Sequence, residues 1–141
     1  MVHALRRAGR YLRSGGMLIS IRPHRTWRPS VAIVTDRVRL PVATLVNPAF
    51  ERNLGAADSA LERVVREGSF ALAGVRSARF RTYLVRPSQM RTYLELISPP
   101  RPRFPPGSRA RLYEMWNSAP RGARIEVTES LVVNALRRPR A

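Results

Sequence analysis

The sequence predicts an α/β chain, α+β-like in character, with helices flanking a sheet. Three observations lead there. Residues 2–23 read as a helix, a glycine turn and a strand. Further on, stretches with helical spacing alternate with stretches of period two. Two long period-two segments lie in the second half, at residues 70–85 and 124–136.

Val2, Leu5, Ala8, Tyr11 and Leu12 fall on one helical face, and Arg6, Arg7, Arg10 and Arg13 on the other. Cations in the last turn suit the helix dipole. Ser14-Gly15-Gly16 stops the helix, since a glycine past the end can take the left-handed conformation of a cap. Met17 to Ile21 is a short apolar run, as expected of a strand buried on both faces, and Pro23 ends it. The loop from Arg22 to Pro29 is polar and reads first as a surface loop with Trp27 folded onto the domain. Its chemical alternative is a site at the strand's C-terminal end, where open α/β sheets bind ligands. There Trp27 would stack on a substrate and His24 would transfer a proton, with Arg22 beside them.

Residues 31–34 and 38–46 read as two strands joined at Thr35-Asp36-Arg37. Pro41 makes the second an edge strand or interrupts it. Asn47-Pro48 opens a new segment, and Ala56 to Glu67 is a helix with Ala57, Leu61, Val64 and Val65 inward and Gly68 past its end. Phe70 to Val85 is a long strand, with Arg79, Arg81 and Tyr83 on one parity and Gly74 at a bend. Ser88 begins a helix whose stripe is Met90, Tyr93, Leu94 and Ile97. The proline-rich stretch 98–107 is a stiff connector. A short helix over 108–118 turns Leu112, Met115 and Trp116 inward. In the final strand Ile125, Val127, Leu131 and Val133 share a face, interrupted by Glu129. A basic tail, Arg137 to Arg140, follows.

The 141 residues leave room for one domain, and 44% apolar content can supply its core. Net charge is +17, which alone suggests nucleic acid or another polyanion. All 26 basic residues are arginine, however, and they are spread among abundant alanine and proline. A GC-rich coding bias gives such a composition without selection for binding, so weak nonspecific polyanion binding is the expectation. There is no cysteine, which excludes disulfides, thiolate metal sites and cysteine nucleophiles. No apolar run approaches the roughly 20 residues that span a bilayer. The N-terminal apolar residues are interrupted by arginine, unlike a signal peptide. The expectation is a cytoplasmic protein that does not engage membrane.

The pattern A-L-R-x-A-x-R-x-L-R-x-G-G-x-L-I-x-I-x-P, from Ala4 to Pro23, resembles the helix-turn-strand that precedes and forms the fifth strand of class I S-adenosylmethionine-dependent methyltransferases. The resemblance implies a partial Rossmann-like sheet with its last two strands, 70–85 and 124–136, as an antiparallel pair and the strands at 31–46 as an inserted hairpin. It covers most of the chain in architecture but only Leu5 to Pro23 in motif. In that family the methyl donor sits on a glycine-rich loop and an acidic strand end upstream of this segment. No Gly-x-Gly-x-Gly occurs here. The resemblance therefore implies the C-terminal half of a methyltransferase, with S-adenosylmethionine bound only if a cofactor-binding half completes it.

No complete catalytic constellation is visible. His3 and His24 have no carboxylate or second histidine at metal spacing. Glu126 and Glu129 differ in parity and so cannot flank a substrate from one strand face. No serine sits in a nucleophile elbow, and no Walker or zinc motif occurs. The expected function is that of a methyltransferase-like chain, inactive alone, with Arg22, His24 and Trp27 as substrate-side candidates. An alternative is an arginine-rich module for nucleic acid or protein, which requires basic residues to converge on one face. A third is a fragment that pairs with a separately encoded cofactor-binding half through an exposed apolar sheet edge beside Met17–Ile21; a homo-oligomer is the other partner expected.

Overall fold

Residues 2–11 carry apolar side chains at helical spacing, and in the computed structural model, which describes residues 1–140, they form α1 (Val2–Tyr11). Leu5 is its buried residue, with Val2 packed beside it, whereas Tyr11 points to solvent. The helix ends because Leu12 turns extended, and the left-handed residue comes later, at Gly15 (φ 74°). The glycine turn is pinned by the C-terminal segment: Gly15 N–H donates to the Arg138 carbonyl at 3.1 Å and Arg138 N–H donates to the Gly16 carbonyl at 2.8 Å.

β1 (Met17–Pro23) follows, then β2 (Ser30–Val34), β3 (Arg39–Thr44), α2 (Pro48–Arg66), β4 (Ala71–Leu84), α3 (Gln89–Leu96), α4 (Ser108–Asn117) and β5 (Arg124–Arg137). The strand order is β1-β5-β2-β3, and β4 also pairs with β5. β1 lies antiparallel to β5, from Met17 opposite Arg137 to Pro23 opposite Leu131. β2 is antiparallel to both β3 and β5. Over the described residues the fold is α+β, a mixed and mostly antiparallel five-stranded sheet with four helices.

Two compact units make up the chain. The first comprises 1–25, 51–78 and the residues from 131 onward. Its core is Leu5, Ala60, Leu61, Val64, Phe70 and Leu136, with Leu12, Leu18 and Val65 packed against it. α2 begins eight residues before the expected Ala56, because Asn47 caps it: its Oδ1 accepts from Phe50 N–H at 3.2 Å, and Pro48 is preorganised for a first helical position. The expectation that β1 is buried on both faces fails. β1 is the end strand of the order; Leu18 reaches the core, while Met17, Ile19 and Ile21 are 43%, 55% and 66% exposed.

The second unit comprises 26–50 and 79–130. Its core joins Val31, Ile33, Val42 and Leu45 to Met90, Leu94 and Leu112, and to Ile125 and Val127. The β2–β3 hairpin turns where expected. Thr35 Oγ1 accepts from the N–H groups of Arg37 and Val38, and Pro41 sits on the outer strand beside a register shift. The proline-rich stretch is tied down, since Val46 and Arg103 exchange both backbone bonds at 2.9 Å and Asn47 Nδ2 donates to the Pro100 carbonyl at 2.6 Å. α4 packs Leu112, Met115 and Trp116 on this core as its spacing predicts. Along β5 the deeply buried positions shift from Ile125 and Val127 to Ser130, Val132 and Leu136, so Leu131 and Val133 do not continue the face expected of them.

Candidate functional site

The second unit holds an open cleft of about 460 Å³. Thr26, Trp27, Arg28 and Ser30 enter it from the loop into β2, and Arg39 and Thr44 from β3. Arg79 and Arg81 come from β4, spaced by two so that both point to one side. β5 contributes Glu126 and the run Thr128 to Ser130. Ser130 Oγ donates to the Trp27 carbonyl, which fixes the loop.

Glu126 is the anchor of the cleft and is 4% exposed. Its Oε1 accepts from Arg39 Nε at 2.7 Å and from Thr128 Oγ1 at 3.2 Å. Its Oε2 accepts from the Tyr83 hydroxyl at 3.4 Å and lies 3.5 Å from Arg81 Nε. Burial pushes the Glu126 carboxyl up. The hydrogen bond and charge of Arg39, the Thr128 hydroxyl and the charge of Arg81 outweigh it and hold the carboxyl below its ordinary value. Glu129 Oε1 accepts from the Tyr93 hydroxyl at 2.6 Å. Burial, then the bond to Glu129 and its negative charge, hold the Tyr93 phenol well above the tyrosine range, against a smaller opposite pull from Thr82. Glu126 and Glu129 thus line one cleft despite their opposite parity. β5 runs unbroken through these positions: Ser130 shares the parity of Glu126 and Thr128, and Glu129, held by Tyr93, borders the cleft from the other parity.

Of the three substrate-side candidates, Trp27 lines this cleft, 38% exposed, with the Arg79 guanidinium 4.6 Å from its ring centroid. Arg22 and His24 belong to the first unit. Arg22 is a brace there: Nη1 donates to Asn134 Oδ1 at 2.6 Å, and Nε donates to Asp58 Oδ1 at 3.1 Å, joining β1 to β5 and α2. His24 is half-buried in the loop after β1. Arg39, Arg79 and Arg81 are cleft residues that sequence reasoning does not propose for a site, and Glu126 is one that it sets aside on parity. The shared parity of Arg79 and Arg81 is the available signal; nothing local announces that Glu126 meets Arg39.

A second groove of about 640 Å³ lies between the hairpin and α4, lined by Ile33, Val38, Leu40, Arg111 and Met115 among others. No group of three or more His, Cys, Asp or Glu side chains among the described residues could hold a metal ion. No helix among them is long and apolar enough to cross a membrane. Compared with known proteins, the chain matches no family model, no curated protein and no solved structure at a significant level.

Proposed function

We propose that the chain supplies the acceptor-side part of a class I S-adenosylmethionine-dependent methyltransferase fold and is inactive alone. The observation that carries this reading is β1. It stands at one end of the strand order, with β5 its neighbour, and Met17, Ile19 and Ile21 on one of its faces are exposed. An unpaired strand edge invites another strand, and the apolar face beside it invites cover. The resemblance places the rest of a methyltransferase sheet beside that strand. The pairing of β4 with β5 agrees with the resemblance, which expects its last two strands to be neighbours.

The residues present do not fit the methyl donor. Its sulfonium and ammonium groups are cationic, and the cleft offers four arginines. Its two carboxylates are engaged, Glu126 by Arg39 and Glu129 by Tyr93. No step of the transfer is assigned to this chain's side chains; its role in the proposal is to complete a sheet and to present an acceptor surface.

The test has two arms. Calorimetric titration of the purified chain with S-adenosylmethionine is expected to give no binding heat. A chimera is then made in which this chain replaces everything after the fourth strand of a class I methyltransferase. It is expected to unfold cooperatively and to bind the donor at micromolar concentration. Donor binding by the chain alone overturns the proposal. So does a chimera that fails to bind while its parent enzyme binds.

A further inference from the structure

The polar cleft of the second unit does not carry the methyl-transfer reading, which stands on β1, and its chemistry is the same whether or not that reading holds. Four guanidiniums face two carboxylates around it. Such an excess repels cations and draws anions. Arg39 and Arg81 both approach Glu126 through Nε, so a buried carboxylate holds the two forks side by side. Glu126 engages Nε of each, and the side chains stay 44% and 62% exposed, so a ligand can meet their η nitrogens. A paired set of guanidinium forks matches the oxygens of a phosphate.

Beside them lies an aromatic platform. Trp27 is partly exposed and Arg79 lies over its ring. A cation stacked on an indole is a surface on which nucleic-acid bases stack without regard to sequence. The Ser130 bond to the Trp27 carbonyl holds that platform in place. A volume of about 460 Å³ falls within the range of small-ligand sites.

We infer that this cleft binds a nucleotide unit, with its phosphate on Arg39 and Arg81 and its base against the Trp27–Arg79 stack. A free mononucleotide and one residue of a single strand share this chemistry. The arms of the test separate them.

Adenosine monophosphate, inorganic phosphate and a ten-nucleotide oligoadenylate are titrated into the full chain at near-physiological salt. Saturable binding of the monophosphate with unit stoichiometry supports the inference with a free nucleotide as the source. Binding of the oligonucleotide without the monophosphate supports it with a single strand as the source. Arg81→Ala is expected to weaken either ligand about tenfold or more, the usual worth of a charged hydrogen bond. Trp27→Ala is expected to weaken it about fivefold or more through lost stacking, and to leave any binding of inorganic phosphate unchanged. Arg79→Ala removes an exposed side chain, so it keeps the test open if Arg81→Ala melts early by circular dichroism. Arg7→Ala, exposed on α1, is the control and is expected to change nothing. Absence of saturable binding to either nucleotide ligand overturns the inference. So does an equal loss in Arg7→Ala, which would mean that bulk charge is responsible.

Discussion

Replacing Glu126 by alanine tests whether the cleft is organised by a buried charge. The side chain is 5% exposed and accepts from Arg39, Thr128 and Tyr83. A hydrogen bond to a charged group contributes about 1.5–3 kcal/mol. The contacts at 3.4 and 3.5 Å are long and add little. Breaking a fully buried ion pair costs about 3–5 kcal/mol, because the orphaned partner stays desolvated. Here the partners are not trapped: Arg39 is 44% and Arg81 62% exposed, so both rehydrate once freed. The expected cost of Glu126→Ala is therefore ~1.5–3 kcal/mol at neutral pH. Glu126→Gln, which keeps the shape and one acceptor, is expected to cost less. Both tryptophans, Trp27 and Trp116, lie in the second unit, so urea denaturation followed by tryptophan fluorescence reports on it. The pH dependence has a fixed sign. A carboxyl held low in the folded state adds stability above its unfolded pKa and loses it as pH falls through the folded value. The gap between wild type and Glu126→Gln should narrow below the ordinary carboxylate range. A cost under ~0.5 kcal/mol, the scatter of ordinary surface substitutions, or a gap that does not narrow in acid, would refute the reasoning.

Three further outcomes are expected. Leu112→Ala, fully buried in the second core, should cost ~2–5 kcal/mol in the same fluorescence assay. Arg22→Ala should cost ~1–3 kcal/mol by circular dichroism, since its 13%-exposed side chain leaves Asp58 and Asn134 without their donor. Tyr93 should ionise later than a free tyrosine in an ultraviolet titration, and Tyr93→Phe should delete that late step. Because the folded state holds this proton more tightly, the stability it contributes is present below pH ~10 and declines above it as the unfolded phenol ionises.

Most elements are legible because each carries its own local signal. Helical spacing locates α1, α3 and α4. Thr35-Asp36-Arg37 locates the hairpin, and Pro41 places β3 at the outside of the order. What fails depends on partners distant in sequence. An apolar run such as Met17 to Ile21 does not say which of its faces will be covered, and here alternate residues stay exposed. The start of α2 is hidden although Asn47-Pro48 carries the cap chemistry, because Arg52 and Asn53 break the apolar period before Ala56. The cleft is half legible: Trp27 stands out in its loop, and Arg79 with Arg81 shows a shared parity. Arg39 and Glu126 are 87 residues apart and meet only through the β3–β2–β5 order.

The two proposals rest on different units and fail independently. The methyltransferase reading stands on β1, whose partners and exposed residues all lie in the first unit. The nucleotide inference stands on Trp27, Arg39, Arg79 and Arg81, all in the second. Single exposed apolar residues are ordinary on a protein surface. Three on alternate positions of an end strand are not scattered: they share one face of the sheet, an apolar surface beside an unpaired backbone edge. Ile19→Lys, 55% exposed, places a charge on that surface at little cost to the isolated chain. It should impair donor binding by the chimera and leave nucleotide affinity unchanged, whereas Arg81→Ala should do the reverse. If Ile19→Lys left the chimera intact, the exposed face of β1 would not be where a completing sheet docks, and the reading built on it would fall while the cleft kept its own evidence.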